Sequence, residues 1–311
     1  MSKVRKLNIC DWYVHQGHQY EFFKTGHKFH LFSTGGEPAR WNRNHRPLNK
    51  NIFLQKESSA ARKNMDIVMV RSPINKARYS KFRARGARGV AVVQTVDPFS
   101  IPQWVKHVVW NSYVSMKNNS KRFPGKKHYY IPHGYDPREF FDMGKERNKK
   151  ILTVANSFKK RRKIMGLDLW SYIESNFDEC DIFGHDNEDI KKGIRRAHSL
   201  EELLDIYNTY GIYVNTTIKS AMPRSRAEAA MCGMPIVSTN NYDVNMYFKH
   251  KKSAILTNNK SEMVRCIKML LESKQMREDY GGAAREVAVK NFGIKDYLNR
   301  WDKVFRDVIG L

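Results

Sequence analysis

The residues whose types and spacing best suit chemistry fall in one segment, residues 215–241, NTTIKSAMPRSRAEAAMCGMPIVSTNN. Its pattern predicts a strand end, a polar loop, a helix that begins after Pro223, and a Gly-Met-Pro turn into a buried strand. Glu228, Arg224 and Arg226 fall in the first turns of that helix. A helix N-terminus offers unpaired N–H groups to a diphosphate, and a carboxylate accepts hydrogen bonds from two ribose hydroxyls. The segment therefore predicts a nucleotide-diphosphate site.

The elements that must position this site follow a regular rhythm. Strands are predicted in the first half at residues 7–10, 29–33, 67–71, 89–94, 107–111 and 128–132. After a hydrophilic stretch at residues 143–150, further strands are predicted at residues 151–155, 181–183, 211–215 and 235–239. Helical segments separate them, which favours βαβ units and parallel sheets. We expect an α/β protein with two Rossmann-like halves joined near residue 148, and the absence of GxGxxG and GxxxxGK[ST] disfavours a dehydrogenase or a P-loop NTPase.

The charge of the chain is large and unevenly placed. The 311 residues include 56 Lys and Arg and 31 Asp and Glu, which gives a formal net charge of +25. Because 41% of the residues are hydrophobic, the composition excludes a disordered polycation. Residues 1–130 hold 25 basic and 6 acidic residues, a net +19, and the remaining 31 and 25 give +6. Binding to a polyanionic partner explains why the charges of residues 1–130 are mostly of one sign better than a need for solubility does. A generally basic proteome would not predict the asymmetry.

The cysteines and the apolar runs bear on compartment. The four cysteines contain no CxxC pair, so neither a zinc site nor a disulfide framework is expected. No apolar run approaches 18 residues, and the N-terminus lacks an apolar signal core. We therefore expect a cytoplasmic protein that neither spans a membrane nor is exported by a classical signal.

The segment around Glu228 resembles the GT-B fold glycosyltransferases, in particular the family-4-like group that uses nucleotide sugars. That group carries a Glu-x7-Glu loop followed by Ala, a small residue and Gly-x-Pro, and this chain has EAAMCGMP from Glu228 to Pro235. Residues 128–141, 151–168 and 199–215 are similar to its interdomain signature, its basic loop with Gly-Leu-Asp, and the stretch before the Glu loop. The resemblance covers most of residues 128–290. In the first half of the chain, only the alternation of predicted strands and helices matches.

Three positions depart from the family pattern. The first Glu of the motif is Ser220, so the family's contact to the transferred sugar must be replaced or differ in kind. The lysine before Gly-Leu-Asp is Met165, although residues 159–163, KKRRK, crowd the preceding loop. The histidine that commonly follows the strand at residues 90–94 has no counterpart in QTVDPFS.

The resemblance implies a domain organisation and a donor. It implies two parallel-sheet domains facing a cleft: an acceptor domain at residues 1–148, a donor domain at 149–290, and a helix at 291–311 that packs back toward the first domain. It implies a nucleotide-diphosphate sugar, first choice a UDP-sugar, with no cofactor and a dispensable divalent metal, because fixed cations can stabilise the departing nucleotide. The implied donor-binding residues, with Glu228 on the ribose and the loop cations on the diphosphate, are Glu228, Arg161, Arg162, Lys163, Ser220, Arg224 and Arg226. Each group also has a simpler interpretation. The basic run KKRRK could be a solvated loop or a nucleic-acid-binding patch, and Glu228 could be an acidic residue that the helix dipole stabilises near the helix N-terminus.

The acceptor is predicted from two basic loops of the first half, residues 38–47 and 78–88. Cations there alternate with the aromatic residues Trp41, Tyr79 and Phe82, which suits phosphate contacts and base stacking, although either loop alone could be a solvated face. The candidate acceptor or nucleic-acid-binding residues are Arg40, Trp41, Arg43, Arg46, Arg78, Lys81, Arg83 and Arg85, with Trp41 a candidate for base flipping.

These residues favour sugar transfer to a hydroxymethylated or other hydroxyl-bearing base in duplex DNA, as phage-encoded GT-B enzymes perform, in a bacterial or phage-infected cytoplasm. The alternatives are a cell-envelope glycan or lipid at an anionic membrane surface, and a non-catalytic nucleic-acid-binding protein.

Two side chains are candidates for catalysis. An inverting enzyme needs a general base at the acceptor hydroxyl, and Asp97, after a predicted strand, is the candidate. His15, in the first strand-to-helix loop, could approach the sugar or phosphate, or be a solvated loop residue. The resemblance favours retention, in which the leaving phosphate itself can take the proton. The oligomeric state is left open.

Overall fold

The computed structural model describes residues 5–71, 76–190 and 192–311. Its contacts divide the chain into two units, Met1–Gly134 with Ile294–Leu311 (unit 1) and Tyr135–Gly293 (unit 2). The sequence predicts divisions after residues 148 and 290, whereas the contacts change after Gly134 and Gly293. The last segment is counted with unit 1 because its side chains are part of the core of that unit.

Unit 1 is built on a seven-stranded sheet in which every pairing is parallel. Its strands are β1 (Asn8–Trp12), β2 (Lys28–Phe32), β3 (Ile52–Leu54), β4 (Ile67–Val70), β5 (Arg88–Val93), β6 (His107–Trp110) and β7 (Lys127–Tyr130), in the order β3-β2-β1-β4-β5-β6-β7. The central strand β4, IVMV, is buried along its whole length. Such continuous apolar strands are expected in a parallel sheet with both faces covered.

Helices cover this sheet. They are α1 (Gln16–Phe23), α2 (Glu57–Ala60), α3 (Lys76–Arg83), α4 (Tyr113–Asn119) and, from the C-terminus, the last helix (Ile294–Ile309). The last helix is apolar at positions 297, 301, 304, 305 and 308, a helical spacing that forms one stripe. Its Trp301 ring packs edge-on against Phe22 of α1, with 4.5 Å between ring centroids, and Phe305 lies beside it.

Unit 2 contains a second parallel sheet, of six strands. They are β8 (Ile151–Val154), β9 (Cys180–Phe183), β10 (Gly193–Ile194), β11 (Ile212–Asn215), β12 (Ile236–Ser238) and β13 (Ile255–Leu256), in the order β10-β9-β8-β11-β12-β13. Its helices are α5 (Arg162–Met165), α6 (Leu167–Glu174), α7 (Leu200–Thr209), α8 (Arg224–Met231), α9 (Val244–Tyr247), α10 (Lys260–Glu272) and α11 (Lys274–Phe292), so that the last helix of unit 1 is α12. Ser199 and Asn259 cap α7 and α10 by accepting from the backbone N–H three residues on.

The predicted α/β class with parallel sheets is confirmed. Three strands, β3, β10 and β13, were absent from the sequence prediction, and each lies at an edge of its sheet. They contain two or three residues each, which is too short to show a periodicity.

Candidate functional site

Glu228 lies in the second turn of α8, and neighbouring side chains hold its carboxylate. One oxygen accepts a hydrogen bond from the Tyr207 hydroxyl (3.1 Å), and the other pairs with the Arg224 guanidinium (3.2 Å). Glu228 is 6% exposed. Burial and then the charge of Glu228 raise the pKa of Tyr207, so that this hydroxyl keeps its proton and donates. The carboxylate is therefore held in one orientation near the start of the helix.

The first turn of α8 is anchored to the ends of two strands. Ser225 Oγ donates to the carbonyl of Val154, the last residue of β8 (3.0 Å), and accepts from the hydroxyl of Tyr213 on β11 (2.7 Å). β8 and β11 are neighbours in the sheet. The helix N-terminus thus lies at the carboxyl edge of the unit 2 sheet, where open α/β sheets bind their ligands.

Arg226 points into the protein. Its Nη1 donates to Ser238 Oγ (3.1 Å) and to Asn241 Oδ1 (3.2 Å), and the Asn241 amide in turn donates to the Thr217 carbonyl. Burial lowers the pKa of Arg226 to about 10, so that it remains a cation at neutral pH. Arg226 therefore ties the loops after β11 and β12 together, and its guanidinium is among buried groups.

The basic run of residues 159–163 lies beside the loop that follows β11. The two residues that directly follow the run bond to this loop: the carbonyl of Ile164 accepts from the N–H of Ile218 (2.9 Å), and the carbonyl of Met165 accepts from Thr216 Oγ1 (2.9 Å). Arg161, Arg162 and Lys163 are exposed, and Arg162 is paired with Asp168. The candidate cations are therefore brought to the same edge as the loop of residues 216–223.

Two glycines allow close backbone approaches at this edge, Gly166 to the loop after β11 and Gly184 to the loop after β8. A Cβ on Gly166, at φ +70°, would lie 2.1 Å from the Thr216 carbonyl oxygen, and one on Gly184, at φ +154°, would lie 1.8 Å from that of Ala155. Neither backbone conformation suits a side chain. Sequence reasoning named Gly166 only as part of a motif and missed Gly184.

Ser220 is half-buried in the loop between β11 and α8. The loop is continuous with Thr216 and Thr217, which are buried, as is Asn215 at the end of β11. The sequence reasoning did not select these three polar residues, although three polar residues in a row at a strand end are a usable signal. At position 220 the chain offers a hydroxyl where the family pattern has a carboxylate.

His15 and Asp97 lie at the carboxyl edge of the unit 1 sheet, after β1 and β5. His15 Nδ1 caps α1 by accepting from the backbone N–H of His18 (3.3 Å). Asp97 is exposed, and its carbonyl accepts from Thr95 Oγ1 (2.7 Å). Their catalytic roles stay predictions.

The loop after β2 differs from its prediction in two side chains. Arg40 and Arg43 are exposed as expected, but Trp41 is half-buried, with its ring against Tyr13 and its indole N–H on the carbonyl of Arg46 (2.8 Å). Arg46 is only 4% exposed. In this conformation the Trp41 indole packs the loop, and its role as a groove-side ring stays a prediction.

The second basic segment is a helix, and its aromatics are also buried. Tyr79 and Phe82 stand three residues apart on one face of α3 and belong to the core of unit 1, so the predicted interleaving of stacking rings and cations is wrong here.

The cations of this segment point elsewhere. Arg78 donates to the carbonyl of Thr34, and Lys81, Arg83 and Arg85 are exposed. Because α3 runs back from the carboxyl edge toward β5, Arg83 and Arg85 lie at the amino edge of the sheet, away from the loop of Arg40 and Arg43.

Metal-binding clusters and membrane-spanning helices are both absent from the described residues. Within residues 5–71, 76–190 and 192–311, no group of three or more His, Cys, Asp or Glu side chains is placed to hold a metal ion. Helices of the same ranges include none that is both long and apolar enough to cross a membrane.

Comparisons with solved structures show the fold. The chain is similar to a glycosyltransferase from Rickettsia africae ESF-5 (14% identity, TM-score 0.73, 98% of this chain and 99% of that one). It is similar to a sucrose-phosphate synthase from Thermosynechococcus elongatus (10% identity, TM-score 0.73, 98% of this chain and 100% of that one). It is also similar to Anabaena HepE, solved with UDP-glucose (11% identity, TM-score 0.70, 98% of this chain and 100% of that one). No curated protein matches in sequence.

The sequence also matches a family model. The model described as glycosyl transferase-like covers residues 147–302, slightly more than half of the chain. This range contains the loops after β8 and β11 and all of α8. The protein therefore belongs to the glycosyl transferase-like family, and its fold is that of the GT-B glycosyltransferases.

Proposed function

We propose that this protein transfers a sugar from a UDP-sugar to a hydroxyl on a polyanionic acceptor, first of all a hydroxyl-bearing base in duplex DNA. The observation that carries the donor half is the grouping of Glu228, the start of α8 and the basic run 159–163 at one edge of the unit 2 sheet. HepE, which shares the fold, was solved with UDP-glucose. The enzyme would then be of the DNA-modifying type found in phages.

In this proposal the donor is held by charge and by hydrogen bonds. Glu228, kept in place by Tyr207 and Arg224, accepts from the ribose hydroxyls. The N–H groups of the first turn of α8, together with Arg161 and Lys163, face the diphosphate and stabilise the negative charge that grows on it as the glycosidic bond breaks. These cations supply the charge that a divalent metal supplies elsewhere, so a metal is dispensable. The hydroxyl of Ser220 replaces a carboxylate toward the transferred sugar.

The family resemblance favours retention of configuration. The departing phosphate then takes the proton of the acceptor hydroxyl, and no protein base is required. Under this mechanism Asp97→Asn leaves the rate within about threefold, whereas loss of a general base costs about 100-fold or more. The anomeric configuration of the product, read by NMR, tests the same point directly.

The acceptor half of the proposal rests on charge. Residues 1–130 carry a net +19, and Arg40 and Arg43 are exposed and form no ion pair with any residue the structure describes. Such cations suit a row of phosphates, whose contacts do not depend on base sequence.

A donor screen tests the proposal. Radiolabelled nucleotide sugars are offered with unmodified DNA, DNA containing hydroxymethylated bases, and lipid extracts, with the wild type, Glu228→Ala and a control, Glu201→Gln, whose exposed side chain lies in the first turn of α7. We expect label in hydroxymethylated DNA alone, lost in Glu228→Ala and kept in the control. Label only in lipid would contradict the DNA acceptor. If every donor gives neither labelled product nor donor hydrolysis, the proposal that the protein is an enzyme is contradicted.

A further inference from the structure

Unit 1 contains a cavity of about 680 Å³ at the amino edge of its sheet. Arg88 begins β5 and His107 begins β6, so the cavity opens where these two strands start. The remaining wall includes Arg83 from the end of α3, the residues before β6, and the last turn of α12. This is the opposite edge from His15, Asp97 and the loop after β2.

The cavity is strongly cationic. Arg83, Arg88 and Lys106 line it, all three are exposed, and none forms an ion pair within the described ranges of the chain. Among the described lining residues the single carboxylate is Asp307, which already accepts from Lys127 Nζ (2.6 Å) and from the Tyr129 hydroxyl (2.9 Å). The positive charge of the cavity is therefore left without an internal counterion.

His107 adds no charge to this balance. Burial, and then the charge of Lys127, lower its pKa. Its Nδ1 lies 2.9 Å from the Tyr129 oxygen, and because that hydroxyl donates to Asp307, the ring nitrogen is the donor of this contact. The cations available to a ligand are thus the two arginines and Lys106.

The walls of the cavity are fixed by packing. The Trp104 ring lies against Gly89, where a Cβ would be 2.5 Å from the ring, and the Arg83 guanidinium lies over the same ring at 5.6 Å. Lys126 Nζ donates to the carbonyls of Pro102 (3.0 Å) and Val105 (2.5 Å), which holds the segment that leads to Lys106. Arg88 donates to the carbonyl of Val308 (2.6 Å). Arg83 and Arg88 are therefore held at the wall of the cavity by contacts within the protein, and the segment that carries Lys106 is held by Lys126.

We propose that this cavity is a phosphodiester-binding site that anchors the DNA acceptor at the amino edge of unit 1, separate from the carboxyl-edge loops. The role as an acceptor anchor rests on the proposed function. Three cations around one cavity suit the negative charge of a phosphodiester backbone, and Arg presents a forked donor to phosphate oxygens. The site supplies affinity and no chemistry.

Fluorescence anisotropy with an unmodified 20-base-pair duplex, without any sugar donor, tests the site. Because each phosphate contact contributes about 0.9 to the log–log salt slope, we expect the double variant Arg83→Gln/Lys106→Gln to lower the slope by about 2. At about 0.1 M salt its Kd should rise at least about tenfold. The matched control, Lys28→Gln/Lys50→Gln, removes the same charge beside β2 and β3, at least three strands away from β5, and should change Kd less than about threefold.

Each other result contradicts the proposal. Equal loss of affinity in the two double variants would show a diffuse effect of net charge, and an unchanged slope would show that the cavity holds no phosphate. Vesicles of phosphatidylglycerol that bind where DNA does not would assign the cavity to a membrane surface. The assay contains no sugar donor, so it tests the site apart from the proposed function. If the protein binds DNA through this cavity but glycosylates only lipid in the donor screen, the role of the cavity as an acceptor anchor is overturned, whereas loss of DNA binding alone overturns the site.

Discussion

Two sets of charged side chains, one in each unit, are placed in opposite ways. At the carboxyl edge of unit 2, Arg226 and Glu228 are buried and each bonds to other side chains. In unit 1, Arg40, Arg43 and Lys106 are exposed and have no acidic partner in the described chain. A buried charge costs free energy unless it is paired, and so its position is fixed, whereas an exposed charge is free to meet a partner. The difference is what we expect if, as proposed above, unit 2 holds a site of defined geometry and unit 1 recognises its partner by charge.

The largest effect is expected at Glu228. Glu228→Ala should lower turnover of the proposed UDP-sugar at least about 100-fold, equivalent to about 3 kcal/mol, because the proposed ribose contact is lost and Arg224 loses its carboxylate. Glu228→Gln keeps the shape but accepts fewer hydrogen bonds and should lose nearly as much. Measured kcat/KM values check this. Full activity of Glu228→Gln would mean that the carboxylate only stabilises the helix.

A buried ion pair of unit 1, Arg71 with Asp11, tests whether burial determines how much a charged side chain contributes to stability, whichever unit it belongs to. Arg71 binds Asp11 through two nitrogens, at 2.8 Å and 2.9 Å, and both side chains are almost fully buried. Asp11→Asn should lower the free energy of unfolding by about 3 kcal/mol, because a buried guanidinium loses its counterion.

The matched control is Glu37→Gln, which breaks an exposed pair with Lys56 (3.4 Å). It should cost less than about 1 kcal/mol in urea titrations. Equal values for the two variants would remove the distinction between buried and exposed charges.

The exposed arginines of unit 1 should matter for binding and hardly for folding. Arg40→Gln/Arg43→Gln should weaken binding to duplex DNA about fivefold and reduce the salt slope by about 1 to 2, because up to two phosphate contacts are lost. Its melting temperature should stay within about 1 °C, since these side chains make no ion pair in the described structure. A large fall in melting temperature would show that the loop is structural.

A smaller effect is expected from pH at His30 in β2. Burial lowers the pKa of His30 to about 4, and its Nδ1 accepts from the Gln55 amide (2.9 Å). The unfolded chain binds this proton below about pH 6.5 and the folded chain does not, so the contribution to stability is complete above that pH and is lost as pH falls toward 4.

Thermal melts check this. Between pH 7 and pH 5.5 the wild type should lose roughly 1 kcal/mol more than His30→Gln, which lacks the titrating group. Parallel loss in the two proteins would contradict the assignment to His30, and the other buried histidines serve as the common background.

The sequence predicted the architecture because local pattern determines it. Buried parallel strands are apolar runs, and the helices between them begin at Pro or at capping residues, as α8 does after Pro223 and α7 after Ser199. The grouping of Glu228 with the basic run was also foreseeable, since loops after parallel strands share an edge of the sheet. The edge strands were not foreseeable, because two or three residues carry no periodicity.

The direction of each side chain was harder to predict. Tyr79 and Phe82 were read as surface rings among cations, yet their spacing of three already places them on one helical face, which the core of unit 1 covers. Trp41 and Arg46 gave no such signal, because a loop has no period. Arg226 was predicted at the ligand, and the partners that turn it inward, Ser238 and Asn241, lie 12 and 15 residues further on.

The sequence by itself determined the family, the parallel α/β fold and the imbalance of charge between the two ends of the chain, since all three depend on residue type and local order. Only the tertiary structure decided which charges are exposed. It buried Arg46 and Arg226, and it divided the basic residues of unit 1 between a carboxyl-edge loop and the cavity around Arg83, Arg88 and Lys106. The physical reason is that burial and proximity depend on the packing of residues far apart in the chain, which no local pattern contains.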